Sequence, residues 1–327
     1  MAKLVIGTHK VNITPAIVKE SGVTPTGTLS ITENGTYDVT NYAGADVNVS
    51  GSVDGIYRKF IVDGSHTLAR SKTEPFKPFP DDAWYIKDFS MYGAYMDSTV
   101  VSGAIDLTNF KRMTGTSSCN YMFCNCAGII SVNMSNVEEI SGQGVCQRMF
   151  ERCVNLTTAN LSSVTAISGQ NSALGMFSGC TSLVNVDVSK IESVGSSSMN
   201  QMFADCTSLT SLDLHSLKII NGTSALQQIC SGCTNLTSVN LSGLESITGT
   251  NAMSRAFEQC TSLTSISFPA LTTILSATNT TALQNMFDGC TNLTEIHFTS
   301  AVQARVEAQK GYSTNFGATN ATIYFDL

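Results

Sequence analysis

Met286-Phe287-Asp288-Gly289-Cys290-Thr291-Asn292-Leu293-Thr294-Glu295-Ile296-His297-Phe298 recurs, with variations, seven times in a chain of 327 residues. Cys126, Cys153, Cys180, Cys206, Cys233, Cys260 and Cys290 mark the copies, at steps of 27, 27, 26, 27, 27 and 30 residues. A fixed period in this range is the mark of a solenoid, where each unit buries its apolar side against the next. One further step back lands on Thr99. Ile105 and Leu107 keep the pattern there, so residues 95–121 read as a degenerate first repeat.

Columns run through the copies. Three residues after each cysteine stand Ile129, Leu156, Leu183, Leu209, Leu236, Leu263 and Leu293. Apolar residues also stand six and eight after, as in Leu212/Leu214 and Ile296/Phe298. That separation of two is strand spacing with one face buried. A second apolar pair, such as Val164/Ile167 or Leu244/Ile247, marks a shorter extended segment, often closed by glycine (Gly142, Gly169, Gly195, Gly222, Gly249). Before each cysteine, apolar residues at seven, four and three positions upstream (Leu283, Met286, Phe287) predict one face of a short helix. Gly179, Gly232 and Gly289 fall where such a helix would end.

These columns resemble the BspA-like leucine-rich repeats, over residues 95–298. The resemblance implies an α/β repeat fold: a right-handed solenoid with parallel β-strands and short helices, used in adhesion and surface recognition. Cys230, where phenylalanine is expected, Ala256 in a methionine slot and the final step of 30 depart from the pattern.

The flanks differ in character. Residues 1–22 read as an extended N-terminal arm. Residues 23–53 read as a small β-module, with Asn34-Gly35 as a hairpin turn between alternating runs. Residues 54–94 form an aromatic lead-in in which Trp84, Tyr85, Phe89 and Tyr92 would plug the first turn. Residues 299–327 read as a C-terminal cap, a helix stopped by Gly311 and then a strand over 321–327. The segments Ile31–Val39 with Ala45–Val49 resemble a β-module of virion proteins from tailed phages that infect gut Firmicutes. Gly311–Phe325 resembles the end of leucine-rich-repeat proteins encoded among phage structural genes. Both imply a tail-associated or surface-exposed virion protein.

Composition narrows the partners. Charged residues are 13% of the chain and net charge is −7, so the surface is polar but weakly charged. That suits hydrogen-bonding partners and argues against nucleic acid. No apolar run is long enough to span a membrane, and no secretory signal is read at the N-terminus. The expected location is therefore the virion, made in the host cytoplasm, with the bacterial cell surface as the alternative. Eleven cysteines, an odd number in a long chain, point to free thiols.

Catalytic chemistry finds no motif. His9, His66, His215 and His297 lie in different segments. Asp187 and Asp213 would sit in neighbouring turns, too close for paired-carboxylate glycoside cleavage. The cysteine ladder, with Cys230 and Cys233 at C-x-x-C spacing, invites a metal or redox reading. Without four convergent ligands, burial as a small hydrophobe is the better account. No catalytic residue, metal or cofactor is expected.

The outward strand positions remain. Five after each cysteine come Ser131, Thr158, Asn185, Ser211, Ser238, Ser265 and Glu295; seven after come Asn133, Asn160, Asp187, Asp213, Asn240, Ser267 and His297. Two parallel polar rows would grip a glycan or an extended chain by many hydrogen bonds, and the same rows would also serve to solvate the face. The candidate ligand-binding residues are Asn133, Asn160, Asn185, Asp187, Ser211, Asp213, Asn240, Glu295 and His297. The expected partners are other virion proteins through the N-terminal region, and a host-surface glycan or protein through the repeat face. A bacterial surface adhesin or protein-interaction module is the alternative, and homo-oligomerisation stays open.

Overall fold

The computed structural model describes residues 95–327 except 109, 111, 114–115, 118, 275–280 and 310; within residues 3–70 it describes the backbone of seven short strands. The predicted arm, β-module and aromatic lead-in fall largely outside these residues. The strands expected to flank Asn34-Gly35 are present but do not pair with each other. Thr28–Ile31 pairs with His9–Ile13 and Asp46–Val49, and Gly35–Asp38 pairs with Thr67–Arg70.

From Tyr95 onward the chain is a parallel-strand solenoid of about eight turns, each with three walls. The first wall is built from the longer strands. Ser102–Asp106, Gly128–Asn133, Thr158–Asn160 and Asn185–Asp187 form one parallel group; Ser211–Asp213 with Ser238–Asn240 and Ser265–Phe268 with Glu295–Phe298 and Thr322–Tyr324 continue it. Equivalent residues stand in register: Val132 beside Ala159 beside Val186, and Ile266 beside Ile296 beside Ile323. The second wall is a seven-stranded sheet of two-residue strands, from Arg112–Met113 to Thr273–Ile274.

The third wall corrects an expectation. The segments before the cysteines are not helices. Their amides alternate between two partners. Arg148, Phe150 and Arg152 donate to the next repeat's Leu174, Met176 and Ser178 carbonyls at 2.8, 2.9 and 2.7 Å. Between them, Met149, Glu151 and Cys153 donate three residues back, to Cys146, Arg148 and Phe150. A helix would send every amide four residues back. The result is a string of tight turns with a left-handed residue every fourth position, as at Gly144, Arg148 and Arg152 (φ 63°, 53° and 56°). A period of four places side chains inward at the same spacings as a helix, which is why the pattern reads as one. Gly179 and Gly232 (φ 72° and 78°) do not end a helix; they occupy the left-handed position that Arg152 and Asp205 fill elsewhere.

The interior is a set of ladders. Tyr95, Phe123, Phe150, Phe177 and Phe203 stack ring on ring at 5.2 to 5.8 Å between successive centroids. Cys230 interrupts this column before Phe257 and Phe287 resume it. Leu156, Leu183, Leu209, Leu236, Leu263 and Leu293 are fully buried. Each such side chain is worth about 1.5–3 kcal/mol of burial, and the same contribution repeats with every turn.

The surplus of Ser, Thr and Asn is also structural. At the corners, Thr157, Thr237 and Thr294 hydroxyls donate to the carbonyls of Ile130, Thr210 and Thr264 in the preceding repeat. The amides of Asn155, Asn292 and Asn320 donate to Ala127, Thr261 and Thr291 carbonyls. After Phe298, a short 3-10 turn and the helix Gln303–Glu307 bury Val302 and Val306, and Gly311 turns left-handed (φ 94°) into a second 3-10 segment.

Candidate functional site

The cysteine column belongs to the scaffold. All eleven cysteines are free and buried. The thiol of Cys180 donates to the Phe150 carbonyl at 3.1 Å, Cys206 to Phe177 at 3.2 Å and Cys233 to Phe203 at 3.0 Å. Each thiol thus ties its repeat to the one before, beside the stacked rings. Removal from water pushes the thiols of Cys180 and Cys290 up to about 12, and those of Cys153 and Cys260 up as well. They stay protonated and serve as donors. Among the described residues no group of three or more His, Cys, Asp or Glu side chains is placed to hold a metal.

The exposed face resolves into two rows with different duties. The row seven after cysteine is bound into the turns that follow each strand. Oδ1 of Asn133, Asn160 and Asn240 accepts the amide of Ser135, Ser162 and Ser242 at 3.0–3.1 Å. Oδ1 of Asp187 accepts from Ser189 N and Oγ, and that of Asp213 from His215 N, with His215 Nδ1 at 3.0 Å. These are Asx turns, and they explain why the row is Asn or Asp. The signal Asn-x-Ser was present in the sequence at 133, 160 and 240.

The row five after cysteine has no such duty. Thr158, Asn185, Ser211, Ser238 and Ser265 are exposed, and no hydrogen bond holds their side chains among the described residues. Ser131 is half-buried. The structure therefore brings all nine candidate residues onto one face, with Asn185 and Ser211 in the unengaged row and Asn133, Asn160, Asp187, Asp213 and Asn240 in the engaged one.

At the C-terminal end both rows change. His297 Nδ1 lies 2.9 Å from Asp326 Oδ1, and Nε2 lies 3.6 Å from Glu295 Oε2. Its ring stacks on Tyr324 at 4.8 Å. The hydrogen bond to Asp326 raises the imidazole above its ordinary value, against an opposing contribution from partial burial. Tyr324 and Asp326 were not singled out from the sequence, because their meeting with His297 depends on the register of the closing strand.

Two further surface features break the repeat. Val100 and Val154, one residue after the cysteine position, and Ile130 and Val184, four after it, are exposed; from Cys206 onward both positions are Thr. On the second wall, an open cleft of about 650 Å³ is lined by Glu192, Val194, His215, Lys218 and Ile219. It sits at the 26-residue step, where the short strands keep one register pair, Ser193 with Ile219. No described helix is long and apolar enough to cross a membrane.

No curated protein matches the chain. Among solved structures, a leucine-rich repeat protein from Eubacterium ventriosum aligns at 16% identity and TM-score 0.39, covering 76% of this chain and 57% of that one. A leucine-rich repeat protein from Bacteroides ovatus aligns at 12% identity and TM-score 0.21, covering 98% and 99%. An internalin from Listeria monocytogenes aligns at 11% identity and TM-score 0.26, covering 92% and 86%. The chain spans just over half the length of the Eubacterium protein. The family described as the BspA type leucine rich repeat region matches in six copies, over residues 106–241, 173–278 and 223–308. An array of this kind suggests a protein-interaction or adhesion module, and nothing among the described residues points to catalysis. With most of the solenoid matched and its columns accounted for by ladders, the chain belongs to the BspA-type leucine-rich repeat family.

Proposed function

We propose that this protein is a non-enzymatic recognition module carried on the virion of a tailed phage. The segment ahead of the array attaches it to other virion proteins. The exposed strand face binds a glycan or protein of the host surface. One observation carries the choice of face: the row Thr158, Asn185, Ser211, Ser238, Ser265 repeats at about 4.8 Å, is exposed, and is not tied up by the fold. Short hydroxyls and amides at that spacing offer a ladder of donors and acceptors to an extended ligand. The virion setting is supported by the resemblance of residues 31–49 and 311–325 to segments of phage structural proteins.

A second reading, a bacterial surface adhesin, is favoured by the repeat family itself, which fits a cell-surface module equally well. Antibody-gold labelling separates the two. Label on purified virions supports the first; label on the bacterial envelope with none on particles overturns it in favour of the second. Labelled full-length protein that binds neither cells nor their extracted surface polymers overturns both.

A further inference from the structure

The exposed face ends on a side chain unlike those before it. Strand Thr322–Tyr324 pairs with Glu295–Phe298 and is the last strand of its sheet. Its register sets Tyr324 beside His297, which in turn stands beside Ser267. Tyr324 thus continues the row that is Asn or Asp through Asn240. Packing does not call for a ring there: Ile323 points inward and Tyr324 outward. Among the described Phe, Tyr and Trp residues it is the one that is exposed, at 37%.

The ring is also held in place. His297 covers one of its faces at 4.8 Å with the planes 13° apart, and the imidazole is itself fixed between Asp326 and Glu295. The other face has no ring stacked on it among the described residues. Beside this platform, the side chains of Glu295 and Asp326 are 53% and 52% exposed. A carboxylate offers about four acceptor sites, and His297 engages one oxygen of each.

Resting on the reading of the strand face as the recognition surface, we propose that Tyr324, with Glu295, His297 and Asp326, forms a subsite for one neutral or amino-bearing pyranose residue of a glycan. A pyranose ring presents C–H bonds on one face and hydroxyls around its edge. The first suits the open face of an aromatic ring that keeps an apolar body and a polar tip. The second suits carboxylate acceptors, which form the stronger, charge-assisted hydrogen bonds. Because the platform is fixed before binding, little ordering is lost on contact. Two carboxylates around one imidazole leave the site acidic, so sugars bearing carboxylate, sulfate or phosphate are disfavoured.

The test is a glycan array carrying neutral, amino and acidic pyranose glycans, probed with fluorescent full-length protein as wild type, Tyr324→Phe, Tyr324→Ala and Asp326→Asn. The expected result is binding to neutral or amino glycans, kept by Tyr324→Phe, reduced roughly tenfold or more by Tyr324→Ala and weakened by Asp326→Asn, with each variant folded by circular dichroism at the assay temperature. Binding confined to acidic glycans overturns the subsite, as does equal binding by Tyr324→Ala. If no glycan binds while labelled protein still binds cells, the subsite falls and the recognition function stands. If cell binding is absent too, both fall.

Discussion

Gly222→Ala tests the closeness of successive repeats. Gly222 is buried in the corner between the short strand and the turn wall. A Cβ there would lie 2.6 Å from the carbonyl carbon and oxygen of Gly195 and 2.7 Å from Ser196 N. Carbon contact becomes ordinary at about 3.5 Å, so the two repeats must part by roughly 1 Å. The obstacle is the backbone of the preceding repeat, and no rotamer relieves it. Separation stretches the nearby bond from Ser197 N to Thr223 O, 2.8 Å in the structure, beyond hydrogen-bond reach. Overpacking costs about 1–3 kcal/mol and the lost bond about 0.5–1.5 kcal/mol. Reduced freedom of the unfolded chain offsets about 0.4–1 kcal/mol. The net loss is about 2–3 kcal/mol, a fall in melting temperature of roughly 4–12 °C for a unit of this size. Circular dichroism during heating of the full chain reads it directly. A variant melting within about 1 °C of wild type would refute the corner as described.

Other outcomes follow from the same ladders. Arg152→Gly should leave stability unchanged or raise it by up to about 1 kcal/mol, since relief of a left-handed non-glycine residue outweighs the greater freedom glycine gives the unfolded chain; in a helix the same change would cost about 1 kcal/mol, so urea denaturation decides between the two backbones. Iodoacetamide should leave the native thiols untouched at mildly alkaline pH and label all eleven after unfolding, with intact mass as the readout; rapid native labelling of Cys180 or Cys290 would contradict the buried column. His297 should titrate above the ordinary histidine value by NMR, mainly through its hydrogen bond to Asp326. Because the folded value is raised, the pair's contribution to stability is complete below the unfolded histidine's pKa and lost as pH rises through the folded one. Asp326→Asn should bring the titration down; an unshifted midpoint would remove Asp326 as the main cause.

The repeats were legible because burial dictates type. Leu183, Ile220, Phe257 and Cys290 could be assigned to the interior from their columns alone, and the structure places them there. The turn wall was not legible as such, since inward residues at seven, four and three before cysteine satisfy both a helix and a chain of four-residue turns. The distinguishing sign was glycine or asparagine at the left-handed positions, and Arg148, Arg152 and Gln201 in those slots obscured it. On the exposed face, composition marked the two polar rows but not their difference. Asn160 and Asp187 owe their identity to turns they close, whereas Asn185 and Ser211 do not. The cluster around His297 was half legible: Glu295 and His297 stood out as divergent members of their rows, while Tyr324 and Asp326 required the register of the final strand.

Asn185→Lys/Ser211→Lys in the full-length protein asks whether the unengaged row binds. Both residues are exposed, and substitutions at such sites usually change stability by no more than about 0.5 kcal/mol. Two lysines in adjacent repeats place bulk and like charge across the middle of the face. The measurement is binding of the fluorescent protein to target cells, beside its melting curve. The predicted result is loss of binding with the melting temperature kept. Undiminished binding by the double variant would mean that the unengaged row is not the recognition surface.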